Sequence, residues 1–147
     1  NALWFSDAAP TQPIAFSHKL HAGDHKIPCQ HCHIYAERSP VAGVPPVSKC
    51  MGCHSNIAVD KPEIRKLAAY WEQQEPIPWI KVHDLPDFTH FSHKRHVRAG
   101  LACQSFHGPG EQMTVLTRVA PMTMGWCLSC HQTRAVRFGT DCWTCHQ

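Results

Sequence analysis

The stretch that decides the fold is FSHKRH, Phe91–His96, which is followed seven residues later by CQSFH, Cys103–His107. A similar pair of runs stands upstream as FSHKLH, Phe16–His21, and CQHCH, Cys29–His33. Each hexad carries two histidines three residues apart, and side chains at i and i+3 share one face of a helix. Each hexad can therefore supply imidazoles to two neighbouring haems. The Cys- and His-containing run that follows each hexad, called a box below, would supply the ligand on the opposite side of an iron.

Four complete Cys-x-x-Cys-His boxes occur in the chain, and the motif is typical of c-type haem attachment. Both thiols add to porphyrin vinyl groups, and the histidine binds the iron. The expected attachment residues are Cys29, Cys32, Cys50, Cys53, Cys127, Cys130, Cys142 and Cys145. The expected iron ligands of these boxes are His33, His54, His131 and His146. A zinc site has no use for a histidine directly after each cysteine pair, and a disulfide framework leaves those histidines unexplained.

A fifth box is irregular, because Phe106 stands where the second thiol belongs. Cys103 and His107 are retained, so one thioether and one iron bond remain available. Two alternatives stay open: Cys103 is an inert thiol in a decayed site, or Phe106 is a sequence error for Cys. We expect five haem c groups, and four if the Cys103 box is empty.

Eight histidines remain besides the five that end the boxes, and five irons need five partners. The expected distal ligands are His18, His21, His83, His93 and His96. Single histidines are more often surface residues, which is the interpretation for His25, His31 and His90. Met113, Met122 and Met124 are alternative axial ligands that would raise an iron's potential, although packing roles are favoured for them.

The composition agrees with a chain built around cofactors. Nine Cys and thirteen His are present in 147 residues, together with twelve Pro and eight Gly that interrupt regular structure. So short a chain has little apolar core of its own, and buried porphyrins would supply the missing volume. A net charge of +3 gives no case for nucleic-acid binding. No apolar run has the length of a membrane span, and without a signal peptide the chain is interpreted as a mature or trimmed form.

The order of motifs predicts a duplicated unit. The hexads are offset by 75 residues, and the boxes at Cys29 and Cys50 are nearly in step with those at Cys103 and Cys127. We expect an N-terminal arm (1–13), a first two-haem module (14–75), a Pro-rich connector (76–88) carrying His83, and a second two-haem module plus a C-terminal haem (89–147). The predicted fold class is mainly α with extensive irregular loops around haems and little sheet.

One clear helix is predicted between the second box and the connector. Asp60 is its expected N-cap, Pro62 suits its first turn, and apolar residues then recur at helical spacing. The helix is expected to end near Gln74.

Several runs resemble the pentahaem cytochrome c subunit of bacterial alternative complex III, a quinol:electron-acceptor oxidoreductase related to class III multihaem cytochromes. The similar runs are Lys61–Ile64, Pro76–Trp79, Val82–Asp87, Phe91–His96 and Met124–Cys127. The resemblance implies five bis-His haems, with His83 among the ligands, at the periplasmic face of the bacterial inner membrane. It also implies membrane quinol-oxidising subunits, an iron–sulfur (molybdopterin-like) subunit, a monohaem cytochrome c and a soluble acceptor as partners, in a respiratory or photosynthetic chain. Phe106 departs from the family pattern.

Three functions are compatible with these motifs. The favoured one is electron transfer without catalysis, because the spare histidines outnumber the irons and every iron can be closed by two ligands. The second is a multihaem reductase acting on a small oxyanion, which needs one open iron and for which the irregular box is the obvious candidate. The third is a diffusing electron carrier or haem store without a fixed partner.

Overall fold

The structure of the protein is a computed structural model that describes residues 9–146. Among those residues there is no β-strand, and irregular loops join short helices, so the mainly α class is confirmed. The α-helices are α1 (Cys29–Cys32), α2 (Val47–His54), α3 (Pro62–Glu72), α4 (His93–Arg98), α5 (Gln104–His107), α6 (Met124–Thr133) and α7 (Cys142–Cys145). A π-helix (Lys19–Asp24) and a 3₁₀ turn (Gly110–Gln112) complete the described part.

Helix α3 is the longest of these helices, but its predicted N-cap was wrong. Lys61 rather than Asp60 is the N-cap, with an extended ψ of 140°. The reason is Pro62, because a residue before proline is pushed out of the helical region, and proline suits the first helical position. The helix ends at Glu72, with Gln73 as its C-cap.

The side-chain core is small and lies where α3 meets the connector. Its buried members are Ile14, Leu67 and Ile77, and helix α2 packs against α3 beside them. Leu67, at 4% exposure, is the most deeply buried of the three, and no side chain of the described residues is fully buried. The helices are therefore not held around a continuous aliphatic core of the kind that a chain of this length normally builds.

At the start of each hexad's helix, a backbone N–H group donates a hydrogen bond to a carbonyl group in the other half of the chain. The backbone N–H of Lys19 donates to the Met113 carbonyl (2.8 Å), and that of Lys94 donates to the Ser39 carbonyl (3.1 Å). Ser39 follows His33 by six residues, and Met113 follows His107 by six residues. The first N–H groups of a helix need outside acceptors, so each half completes a helix of the other.

The first hexad does not form the expected α-helix. Its histidines lie at the start of the π-helix, in which His25 N–H donates to the carbonyl of Leu20, five residues earlier (3.0 Å). The second hexad forms the α-helix α4. The predicted helical placement of both histidine pairs therefore holds, with a wider turn in the first copy.

The connector has no helix, and the described end of the N-terminal arm is bonded to it. The Gln12 side-chain amide donates to the Ile80 carbonyl (2.8 Å) and accepts from the Ile80 N–H (2.9 Å). Ile77 and Val82 are buried, which holds the segment before His83 against the fold. Residues 1–8 of the predicted arm, and residue 147, lie outside the described part. Between residues 9 and 146, no helix combines the length and the apolar character that crossing a bilayer requires.

Candidate haem-binding sites

Every box forms a helical turn that places its first cysteine and its histidine one turn apart. The histidine N–H donates to the carbonyl of the first cysteine in the boxes at Cys29 (2.9 Å), Cys103 (2.9 Å) and Cys142 (2.8 Å). The boxes at Cys50 and Cys127 lie inside α2 and α6. None of the nine cysteines forms a disulfide. The donors needed for covalent attachment and for one axial bond are thus grouped in each turn.

Backbone carbonyls orient most of the predicted ligand rings. Seven of them place Nδ1 within 2.7–3.1 Å of a carbonyl oxygen: His21, His33, His54, His93, His96, His131 and His146. A carbonyl can only accept, so Nδ1 carries the proton and Nε2 keeps its lone pair. This is the usual second-shell arrangement of a metal-binding histidine, which fixes both the tautomer and the ring orientation.

Three pairs of these rings have the separation that one iron between them requires. The ring centroids are 6.0 Å apart for His21 and His54 and 6.0 Å for His96 and His131. The rings of His93 and His107 are 6.3 Å apart and nearly parallel, at 3°. A ring nitrogen binds a metal at about 2 Å and lies about 1 Å from its ring centre, so two axial imidazoles have centres about 6 Å apart. The donor sets of these pairs therefore fit haem iron.

Phenylalanine rings support both hexads in the same way, and the sequence analysis had not assigned them a role. Phe16 stacks on His21 at 4.4 Å and meets His18 edge-on at 4.9 Å. Phe91 stacks on His96 at 4.3 Å and meets His93 edge-on at 5.0 Å. The signal for this role was present in the repeated Phe-Ser-His order, in which the aromatic residue precedes the first histidine by two positions.

The remaining predicted ligands are partly buried and neutral. The pKa of His18 is lowered to about 4, by burial first and then by the nearby His33 and His21. The pKa of His107 is also lowered to about 4, by burial first and then by His83 and His93. Burial, followed by the charge of Arg118, lowers the pKa of His83. Iron binding requires neutral imidazole, which these environments favour.

His18 and His83 each hold a buried ring nitrogen that has no hydrogen-bond partner, Nδ1 in His18 and Nε2 in His83. A buried polar atom without a partner is costly, and such an atom is a candidate for a bond to a bound group. His83 lies 4.4 Å from His107, ring centre to ring centre. That distance is too short for an iron between the two rings. The structure therefore brings His83 to the irregular box without forming an iron-spanning pair with His107.

The pKa values of three cysteine thiols are raised partly by a cysteine of another box. Burial raises the pKa of the Cys50 thiol, and the adjacent Cys32 raises it further. The pKa of Cys103 is raised by burial and then by Cys29, and that of Cys127 by burial and then by Cys145. The ring of His96 is 5.4 Å from that of Phe106 in the third box and 6.0 Å from that of His131 in the fourth box, so these two boxes are neighbours.

The histidines that were not expected to bind iron differ from the others. His25, His31 and His90 are exposed, and their side chains make no hydrogen bond within residues 9–146. Met113, an alternative ligand, accepts a hydrogen bond at its sulfur from the Thr117 hydroxyl (3.9 Å).

In the described part of the chain, no three His, Cys, Asp or Glu side chains are close enough to hold a metal ion by themselves. A closed zinc site needs four protein ligands, whereas haem iron needs two.

Comparison with known proteins agrees with these motifs. No family model matches the chain. Over 97 residues the chain is 36% identical to the multihaem cytochrome c subunit of a menaquinone reductase from Nitratidesulfovibrio vulgaris (strain Hildenborough). The alignment covers 65% of the chain and 45% of the relative, so the chain spans less than half of that protein's length. Similarity to a subunit of this kind supports interpretation of the chain as a multihaem c-type cytochrome.

Proposed function

We propose that the chain transfers electrons through five closely spaced haem c groups, as a non-catalytic subunit of a membrane quinol oxidoreductase. The observation that carries the proposal is the set of three imidazole pairs at 6.0–6.3 Å. Two ligands per iron leave no coordination position for a substrate, which suits electron transfer. Haem c, when bound, supplies the one-electron redox centre of each site.

The chain's own residues would hold each group in a defined orientation. We assign His54 and His21, His131 and His96, and His107 and His93 as axial pairs. Nδ1 bonds to carbonyls fix five of these six rings, and the Phe16 and Phe91 stacks restrict both hexads. A ring held in this way is already oriented when iron arrives, so little ordering entropy is lost on binding.

The first box would use His33, whose Nδ1 donates to the Gly43 carbonyl at 2.7 Å. We assign His18 as its distal ligand, because His21, His93 and His96 face the histidines of other boxes and His33 is, after burial, the next cause of the lowered pKa of His18. His83 remains the fifth distal ligand in the proposal.

The duplicated two-haem unit with one added haem is part of the proposal. Its support is the shared geometry of the hexads and the exchange of helix-starting hydrogen bonds between the two halves. The contact between Phe106 of the third box and His96, the distal ligand assigned to the fourth, brings these two sites together, which favours electron passage between them.

The proposed setting is a complex at the periplasmic face of the bacterial inner membrane. Its expected partners are membrane quinol-oxidising subunits, an iron–sulfur subunit and a monohaem cytochrome c, with a soluble acceptor beyond them. Support comes from the resemblance to alternative complex III and from the similarity to a menaquinone reductase subunit. Purification in mild detergent should recover the chain with an iron–sulfur subunit, and quinol should reduce its haems. Release by salt as a single chain would contradict this setting and favour a diffusing carrier.

One observation favours the reductase as a second candidate. The ring packed near His146 is Phe88, at 5.9 Å, while His83 lies beside the irregular box. An iron on His146 with no second imidazole would be open to a small molecule.

Spectroscopy of the purified protein separates the two functions. Electron transfer through closed sites predicts only low-spin ferric signals and no carbon monoxide binding after reduction. A high-spin signal together with carbon monoxide binding would support the reductase and contradict the closed sites.

A further inference from the structure

The irregular box has the same backbone geometry as the complete ones. The hydrogen bond from His107 N–H to the Cys103 carbonyl is 2.9 Å, equal to that from His33 to Cys29. Cys103 is the N-cap of α5 with helical φ and ψ of −56° and −37°, so the thiol and the imidazole lie one helical turn apart. The absence of a second thiol has therefore left the attachment turn intact.

The ligands around this box are also in place. The His107 ring faces that of His93 at 6.3 Å, a separation that matches the two other pairs. The nitrogen Nδ1 of His93 is bonded to the Pro40 carbonyl (2.8 Å). The box thus presents one thiol, one proximal ring and one distal ring.

Phe106 occupies the position of the missing thiol as part of an aromatic cluster. Its ring makes edge-to-face contacts with Phe91 (5.6 Å), His96 (5.4 Å) and Trp126 (5.7 Å). Edge-to-face contacts of this kind are favourable beyond the apolar area they bury. The phenylalanine therefore has a packing role of its own, which joins the third box to the distal ligand of the fourth.

We infer that the third box holds its haem by one thioether, at Cys103, and that packing of Phe106 replaces the second link. The inference rests on the proposed multihaem function. In the reaction the Cys103 S–H adds across one vinyl C=C, so that sulfur bonds to one carbon and hydrogen to the other. No electron is gained or lost, and no group leaves. The second vinyl group stays intact because no thiol faces it.

Analysis of the haem attached to the wild-type protein tests the inference of a single thioether directly. Protease digestion and mass spectrometry should find the Cys103 peptide carrying one haem, and resonance Raman spectra should show a residual vinyl stretch. The pyridine haemochrome spectrum should contain a minor, red-shifted α-band component amounting to about one fifth of the haem.

Two variants complete the test. Phe106→Cys should remove both the vinyl band and the red-shifted component, since a second thioether can then form. Cys103→Ser should lower covalent haem by one per chain. Each variant is compared with Ser105→Ala, which alters an exposed neighbour in the same turn.

A haem-free Cys103 peptide, alkylated or joined to Cys29 in a disulfide, would overturn the inference. If haem is found on the peptides of the four complete boxes, the proposed electron transfer survives that result with four haems in place of five. Haem-free peptides from all five boxes would overturn the function itself.

Discussion

Substitution of His96 by alanine tests the proposed axial pairing in most detail. His96 faces His131 at 6.0 Å, and its Nδ1 donates to the Ser92 carbonyl at 2.8 Å. Removing the ring leaves the fourth haem attached through its two cysteines and still bound on one side by His131. The iron should therefore become high-spin without loss of the haem.

The expected spectral change is set by the number of irons. One site of the proposed five is altered, so about one fifth of the low-spin ferric signal should convert to high-spin. The substitution also removes one hydrogen bond, at about 0.5–1.5 kcal/mol, and the contact with the Phe91 ring, at about 0.5–1.5 kcal/mol. Losses of that size leave covalently loaded protein folded.

Electron paramagnetic resonance and carbon monoxide binding measure this change. His90→Ala is the matched control, because His90 is exposed and makes no side-chain hydrogen bond in the described part of the chain. Pairing is tested by double substitution: His96→Ala with His131→Ala should alter a single iron, whereas His96→Ala with His54→Ala should alter two. A wholly low-spin spectrum in His96→Ala, or additive loss in the first double variant, would refute the assignment.

The remaining predictions concern pH, backbone packing and haem loading. In the folded state the pKa values of His18 and His107 are lowered to about 4, below the ordinary value of 6.5, so the unfolded chain binds more protons than the folded chain between these values. The stability of the haem-loaded protein should therefore fall as the pH is lowered from 6.5 to 4, and a denaturant titration that shows no such fall would contradict neutral rings in the folded state. Gly23→Ala should destabilise the protein, because the new Cβ would meet the Glu111 backbone carbonyl, whereas Gly125→Ala, which meets no atom within 4 Å, should not; equal midpoints of thermal unfolding would contradict the close approach. Haem-free protein should lose most of its helical circular dichroism, because bound cofactor stabilises only the native state, and a native-like spectrum would show that the side chains suffice.

Helix α3 shows which features local sequence rules predict correctly and which they do not. Periodic apolar residues and Pro62 located the helix, and the predicted end near Gln74 lies close to the observed C-cap at Gln73. The cap was misplaced by one residue because the prediction weighed the acidic side chain of Asp60 above the backbone restriction that proline imposes on Lys61. Covalent restriction of φ and ψ outweighed side-chain preference at that position.

The sequence by itself indicated the haem chemistry that we propose for this protein. The residues of a Cys-x-x-Cys-His box lie within about one helical turn, and so do two histidines at i and i+3. Local helix geometry is therefore sufficient to bring these cysteine and histidine side chains together. The mainly α class follows from the same short-range rules.

Only the tertiary structure decided which distal ring faces which box. His21 and His54 are 33 residues apart in the chain, and His93 owes its orientation to the Pro40 carbonyl in the other half. Such approaches depend on how loops close around the sites, and no local pattern encodes that closure. The same holds for Phe106, whose aromatic partners Phe91 and Trp126 come together only when the chain folds.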